Sequence, residues 1–489
     1  MFDAVDLGEE VTKGDFEQEE PQLHSQLLEL QRRIGATSSA VVIVIAGVEG
    51  AGKGEVVNLL MKWFDARGVE TNAFWDESDE ERERPRYWRF WRALPGRGRI
   101  GIVFGSWYTQ PIIDHVEQED APQALEPEIR RINNFEQALH DDGALIIKLW
   151  FHLSKKEQKH RIKSDRKDRK GNVSPLAKKY SKHYDDFARV CERVLRLTDR
   201  GACRWYLVGA DNRHHRNRLV GRTLVSALEG FLNHPADSPE PSTPDPAPPV
   251  YYNSALEAVD LSSTITDDAY DEQLDELQHE IYQLAWRAHE RDVSMAAVFE
   301  GWDAAGKGGA IRRFIQGMDA RLYQVKQFAA PTDEERAHHY LWRFWRQLPR
   351  AGYSTIYDRS WYGRVLVERV EGFARPDQWR RAYGEINGFE EQLVEHGVVL
   401  LKFWLHIDPD EQLRRFQERE ATPWKRHKIT EEDWRNRERW DDYRQAVDEM
   451  IARTSTVYAP WTLVAGNDKH FARIEVLKTA RDALKKAVS

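Results

Sequence analysis

The sequence predicts an α/β protein built from two tandem copies of one domain, each a parallel sheet with helices on both faces. Three observations lead there. A glycine loop occurs twice, as Gly47-Val-Glu-Gly-Ala-Gly-Lys-Gly54 and Gly301-Trp-Asp-Ala-Ala-Gly-Lys-Gly308, 254 residues apart. The same offset of 254 aligns Trp88-Arg-Phe-Trp-Arg92 with Trp342-Arg-Phe-Trp-Arg346, Ser106-Trp-Tyr108 with Ser360-Trp-Tyr362, and Lys148, Trp150 and His152 with Lys402, Trp404 and His406. Two copies of so large a unit are a duplicated domain and not a solenoid. Finally, each loop follows a continuous apolar run and precedes a helix with one apolar face.

The elements follow in order. Each copy opens on a polar helical segment. Ala40–Ala46 and Met295–Phe299 are unbroken apolar runs, the pattern of strands buried on both faces. Beyond the loops, Val57, Leu60, Met61 and Phe64, and Ile311, Phe314, Ile315 and Met318, recur at i, i+3, i+4, i+7 and mark helices. Gly101–Phe104, Gly352–Tyr357, Val398–His406 and Trp461–Ala465 read as further strands. Alternation of strand and helix implies parallel pairing. Seven prolines within 235–249 make residues 235–250 an extended linker between domains at 21–234 and 251–489. Residues 1–20, with eight acids and one Lys, read as an acidic arm.

Composition removes several function classes. The 489-residue chain carries a net charge of −9, with −7 of it in the first twenty residues, which is not a nucleic-acid-binding balance. Cys191 and Cys203 are too few for a disulfide scaffold. No apolar run reaches 18 residues and the acidic start lacks a signal-peptide pattern, so no membrane association and a cytoplasmic location are expected.

A glycine loop between strand and helix binds anions because unpaired backbone N–H groups and the helix dipole converge on it. Gly301, Ala304, Ala305, Gly306, Gly308 and Gly309 form the expected phosphate cradle, with Lys307 as its point charge and Arg364 as a further phosphate or nucleotide ligand. Position 308 is Gly, where such loops ordinarily carry a metal-binding hydroxyl. A carboxylate must then hold any metal, and Asp303 and Asp358 are the candidates for Mg²⁺, with Mn²⁺ as a substitute. Arg359, next to Asp358, suits a transferring phosphoryl group. Arg414, Arg415, Arg419, Lys425, Arg426 and Lys428 form a basic cluster across two helices, read as a lid. Arg336 extends a candidate polyanion path. The adjacent His338 and His339 do not read as a metal pair, and Trp342 and Trp345 read as core.

These motifs resemble a known family. Gly301-Trp-Asp-Ala-Ala-Gly-Lys-Gly-Gly309, Asp358-Arg-Ser-Trp-Tyr362 and Lys425-Arg-His-Lys-Ile-Thr-Glu-Glu-Asp-Trp434 are similar to those of polyphosphate kinase type 2, and the tandem layout to its two-domain members. The resemblance implies a thymidylate-kinase-like P-loop fold with a helical lid, and phosphoryl transfer from inorganic polyphosphate to AMP, giving ADP, with Mg²⁺. The catalytic set is then Asp303, Lys307, Asp358, Arg359 and Arg419. The first copy departs from the pattern: Glu49 stands at Asp303, Phe104 at Asp358, Gly105 at Arg359 and Asp165 at Arg419, and Gly171–Ser174 falls opposite the basic lid stretch. It reads as an inactive half that replaces the partner subunit of a symmetric dimer of single-domain relatives; homo-oligomers of the whole chain stay open. Two rival readings are an ATP-dependent nucleoside monophosphate kinase on the same fold and a non-catalytic nucleotide- or polyphosphate-binding regulator.

Overall fold

The structure, a computed structural model, describes residues 1, 2, 5, 7–117, 125–168, 184–233 and 254–489; the side chains of residues 117, 165–168, 425 and 428 are outside the description. It comprises two compact units. The first is Met1–Glu77, Arg89–Glu240 and Arg336–His339, and the second is Ser78–Trp88, Pro241–Glu335 and Tyr340–Ser489. The change of unit at 240/241 falls in the proline-rich stretch, although the linker 235–250 itself lies outside the described residues. Each unit also takes in a short segment from the other half of the sequence, which no linear reading of composition detects.

Each unit is built on a five-stranded parallel sheet. The first contains β1 (Val41–Gly47), β2 (Val69–Ala73), β3 (Ile100–Phe104), β4 (Leu145–His152) and β5 (Trp205–Gly209), in the order β2-β3-β1-β4-β5. The second contains β6 (Met295–Gly301), β7 (Tyr323–Gln327), β8 (Ser354–Asp358), β9 (Val399–His406) and β10 (Trp461–Ala465), in the equivalent order β7-β8-β6-β9-β10. All pairs are parallel. The central strands β1 and β6 are apolar, apart from Glu300 at the end of β6, because helices cover both faces; Val41–Val44 and Ala296–Phe299 are essentially inaccessible. The edge strands β2 and β7 escape an apolar-run criterion because they are largely solvated. Val69 is the one buried residue of β2, β7 has none, and Glu70, Asn72, Gln324 and Lys326 supply polar side chains.

The expected acidic arm is corrected. Helix Lys13–Ile34 begins at a capping box of Thr12 and Asp15, so residues 13–20 are its first turns. Phe16, Leu23 and Leu27 are buried, and the acids meet basic partners of the same unit, Glu19 with Arg222 and Glu20 with Lys62. Four of the eight acids, Asp15, Glu17, Glu19 and Glu20, thus belong to a folded helix and not to a tail. Cys191 and Cys203 are buried free thiols, as expected. Among the described residues no helix is long and apolar enough to cross a membrane.

A buried ion pair holds each unit. Lys402 on β9 is completely inaccessible, and its three N–H donors go to Glu390 Oε2 (2.8 Å), the Tyr362 hydroxyl (2.9 Å) and the Thr454 carbonyl (2.7 Å). Glu390 Oε1 accepts from Trp361 Nε1 (2.9 Å) and Tyr362 OH (2.6 Å). Lys148, Glu136, Tyr108, Trp107 and Thr198 repeat the arrangement in the first unit. A buried charge left alone is far more costly than a buried pair. Lys402→Met should therefore destabilise the second unit by about 3–5 kcal/mol, read from urea unfolding, and Glu390→Gln in the Lys402→Met background should restore part of the loss.

Candidate functional site

The two cradles begin identically. Gly301 has φ of 149°, and a Cβ there would stand 2.5 Å from the Leu405 carbonyl, so only glycine lets the chain turn this close to β9. The following helix, Lys307–Gln316, has Gly306 at its N-cap and no side-chain cap, which leaves its first N–H groups to an anion. Helix Lys53–Trp63 starts the same way from Gly52.

The lysines differ in what they hold. Lys307 Nζ bonds the Gly301 and Trp302 carbonyls at 2.6 and 3.2 Å, which uses two of its three donors. Lys53 Nζ bonds the Gly47 and Val48 carbonyls and adds the Glu49 carboxylate at 3.2 Å, which uses all three. Replacing Asp303 with Glu49 thus turns a carboxylate of the cleft into an internal partner for the loop lysine.

In the second unit a cleft of about 80 Å³ gathers Asp303, Lys307 and Arg359 with Glu300, Asn436 and Tyr443. Arg359 Nη2 lies 4.0 Å from Asp303 Oδ1. Burial opposes the charge on Arg359, but Asp303, Glu300, Glu432 and Asp358 outweigh it and raise its pKa. Asp358 ends β8 in register with Phe299. Ala304 and Arg359 have φ of 63° and 66°; both conformations are strained for residues with a Cβ. Gly50 and Gly105 hold the matching positions of the first unit, with φ of 85° and 71° and no such strain.

The lid helix Glu431–Glu438 reaches the cleft through Asn436, whose Nδ2 donates to Asp303 Oδ2 at 3.0 Å and whose Oδ1 accepts from Tyr443 OH at 3.2 Å. Arg435 and Arg439 fasten its C-terminal half to Glu371. Trp302 stacks on Trp440 with centroids 3.8 Å apart and donates from Nε1 to His406 Nδ1 at 2.9 Å.

The basic residues divide. Arg419 lines a neighbouring cleft of about 200 Å³ with Lys469, Arg473 and the floor residues Gly306, Gly309 and Ala472. Arg415 is buried and donates to the carbonyls of Ala304, Ala305, Gly466 and Asn467, so it braces the loop instead of extending from a lid. Arg414 pairs with Glu411 on the exposed face, and Arg426 bonds the Glu420 carbonyl. Arg364 stacks on Tyr340 and pairs with Glu368 at 3.2 Å; it lines neither cleft, although its neighbour Gly363 lines that of Lys307. Arg336 falls in the segment grouped with the first unit and lines neither of these two clefts. The side chains of Lys425 and Lys428 lie outside the description.

At the position of Ala472 the first unit carries Arg216 (the offset is 256 here, as Trp461 to Trp205 shows). This arginine is 1% exposed, bonds the Ala51 carbonyl, Glu55 and Asn217, and would stand 1.7 Å from a Cβ on Gly52. Its guanidinium fills the space beside the loop that Ala472 leaves open in the second unit. The sequence reading passed over Arg216, Glu300 and Asn436; only the first two had a visible signal, as mismatches between otherwise aligned halves.

With this geometry described, comparison with known proteins decides the family. The profile described as Polyphosphate kinase 2 (PPK2) matches residues 10–234 and 264–489. The chain belongs to the polyphosphate kinase 2 family. A polyphosphate:AMP phosphotransferase of Pseudomonas aeruginosa is 49% identical over 498 residues, covering 100% of this chain and 99% of that protein. One from Pseudomonas syringae pv. tomato is 46% identical over 493 residues, with the same coverage of 100% and 99%. A crystal structure of a polyphosphate kinase 2 from Pseudomonas aeruginosa superposes with a TM-score of 0.90 at 47% identity, over 100% of this chain and 99% of that one. Two tandem domains of this family, each with a P-loop kinase-like α/β sheet, therefore make up the chain.

Within this family member, His406 gives a pH signature. Burial pulls its pKa down from 6.5 to about 4, so the folded state prefers the neutral ring. Between those values the unfolded chain binds the proton more readily, so stability is full above about pH 6.5 and falls as pH drops toward 4. Urea midpoints at pH 7 and pH 5 should differ less for His406→Asn than for the wild type.

Proposed function

We propose that the chain transfers a phosphoryl group from inorganic polyphosphate to AMP, giving ADP and a polyphosphate one unit shorter, and that the second domain carries the reaction. The observation that carries this reading is the full-length 49% identity to a protein named for that reaction. The cleft around Lys307 gives it a physical basis.

The acceptor phosphate is already anionic near neutral pH, so the reaction needs no strong base. It needs two polyanions held in line with their repulsion offset. The free N–H groups at the start of helix Lys307–Gln316 and the third donor of Lys307 take phosphate oxygens. Arg359 faces the transferring group from the opposite wall, and Arg419 meets the donor from the larger cleft. Asp303 and Asp358 would hold Mg²⁺, which supplies charge neutralisation when bound. No group of three or more Asp, Glu, His or Cys suited to a metal occurs among the described residues. Asp303 lines the cleft and Asp358 ends β8 directly before Arg359; an ion held by one or two carboxylates would complete its shell with substrate phosphates and water. The first domain, with Glu49 on Lys53 and Arg216 beside the loop, takes the place of a second subunit and not of a second active site.

Incubation with AMP, polyphosphate and Mg²⁺, followed by identification of the nucleotide, tests the reaction; ADP formed with ATP but not with polyphosphate would replace it by a nucleotide-donor kinase. Lys307→Ala should remove activity, by about 10³-fold or more as for loss of a main phosphate ligand. Lys53→Ala should keep at least about half. Equal losses would refute a single active domain.

A further inference from the structure

Glu300 is the last polar side chain before the loop, at the end of β6, and no motif assigns it a task. It is 6% exposed and lines the cleft with Lys307 and Arg359. Its Oε1 accepts two hydrogen bonds, from the Ser360 N–H and the Ser360 hydroxyl, both 2.8 Å. A buried carboxylate in a site for polyanions works against binding unless it has a structural purpose.

Its partner suggests the purpose. Ser360 directly follows Arg359, whose φ of 66° is strained. Such a conformation persists only if its surroundings over-determine it. Two bonds do so here. The Arg359 N–H bonds the Phe299 carbonyl at 3.3 Å, and the next N–H, that of Ser360, bonds Glu300. Phe299 and Glu300 are consecutive on β6, so one strand end grips two successive amides of the turn.

The first unit supplies the control. Gly105 stands at Arg359 and needs no clamp, and Ala46 stands at Glu300 and offers none. Ser106 is retained, but its N–H bonds the Thr109 hydroxyl within its own turn at 3.1 Å. The strained arginine and the carboxylate that holds it are absent together.

We propose that Glu300 is a positioning residue for phosphoryl transfer, which holds Arg359 in its strained conformation through Ser360 and thereby aims the guanidinium across the cleft. The proposal rests on the reading that Arg359 serves the transferred group. Its requirement is reach and an acceptor oxygen, not charge.

Two near-isosteric variants of the full chain separate those properties. Glu300→Gln keeps the length and an acceptor oxygen without the charge. Glu300→Asp keeps the charge but is one methylene short of Ser360. With AMP and polyphosphate saturating in turn, Glu300→Gln should retain kcat within about threefold of wild type. Glu300→Asp should lose about 10- to 100-fold, the range for a misplacement of about 1 Å, with KM for AMP changed by less than about threefold. Urea midpoints check that both variants are folded. An inactive Gln variant beside an active Asp variant would show that charge is what matters and overturn the proposal, as would wild-type kcat in both or equal loss in both. Arg359→Ala completes the set. If it keeps full activity, the reading of Arg359 falls and the proposal with it; if it loses activity while Glu300→Asp does not, the proposal alone falls.

Discussion

The Lys402–Glu390 pair is the constraint on which the second unit depends. An inaccessible ammonium must satisfy three donors and a carboxylate its lone pairs, so their partners are fixed in number and direction. Those partners are Tyr362 and Trp361, Thr454 at the end of helix Trp440–Thr454, and Glu390 on helix Pro376–Glu395. The turn Asp358–Tyr362 is thus pinned at one end by a buried charge pair and at the other by strand β8. Arg359 sits between these anchors, where its strain can be sustained. The first unit keeps the whole network around Lys148 and Glu136, which is why its fold survives the loss of Asp358 and Arg359.

The halves therefore differ at the cleft and not in the scaffold. Two strained residues of the second unit, Ala304 and Arg359, have become Gly50 and Gly105 in the first. A Cβ on Gly105 would lie 2.2 Å from the Phe74 carbonyl, so the backbone has closed into the volume a side chain would need. Restoring the arginine alone would not restore the site. Strain concentrated where chemistry is expected, and absent from its duplicate, agrees with the stability–function trade-off that holds for active sites in general.

Much of this was legible in the sequence, for identifiable reasons. Central strands are unbroken apolar runs because both sheet faces are covered, and a glycine loop after such a run has one structural interpretation. The edge strands β2 and β7 were not legible, since Glu70, Asn72, Gln324 and Lys326 give them the composition of loops. Lys307, Asp303 and Arg359 were found through motif spacing, and the cleft gathers them. Arg415 was grouped with the lid because a guanidinium on a charged helix looks solvated; that its donors turn inward to four carbonyls is decided by tertiary packing. Glu300 and Arg216 are visible in the sequence only as mismatches between the aligned halves; the groups they bond, the Ser360 amide and hydroxyl for one and the Ala51 carbonyl, Glu55 and Asn217 for the other, are set by tertiary packing. The exchange of segments 78–88 and 336–339 between units leaves no compositional trace either.

Arg216 has a thermodynamic corollary. A cleft filled by its own side chain contributes to folding whether or not a solute is present, whereas an open one gains stability from a ligand by mass action, as RT ln(1 + [L]/Kd). The second unit, with Ala472 in place of that arginine, would gain part of its stability from a polyanion bound in the open cleft. The first fills the equivalent space with the Arg216 guanidinium, whose bonds to Ala51, Glu55 and Asn217 need no solute. Duplication has in this sense separated a constant half from a conditional one within a single chain.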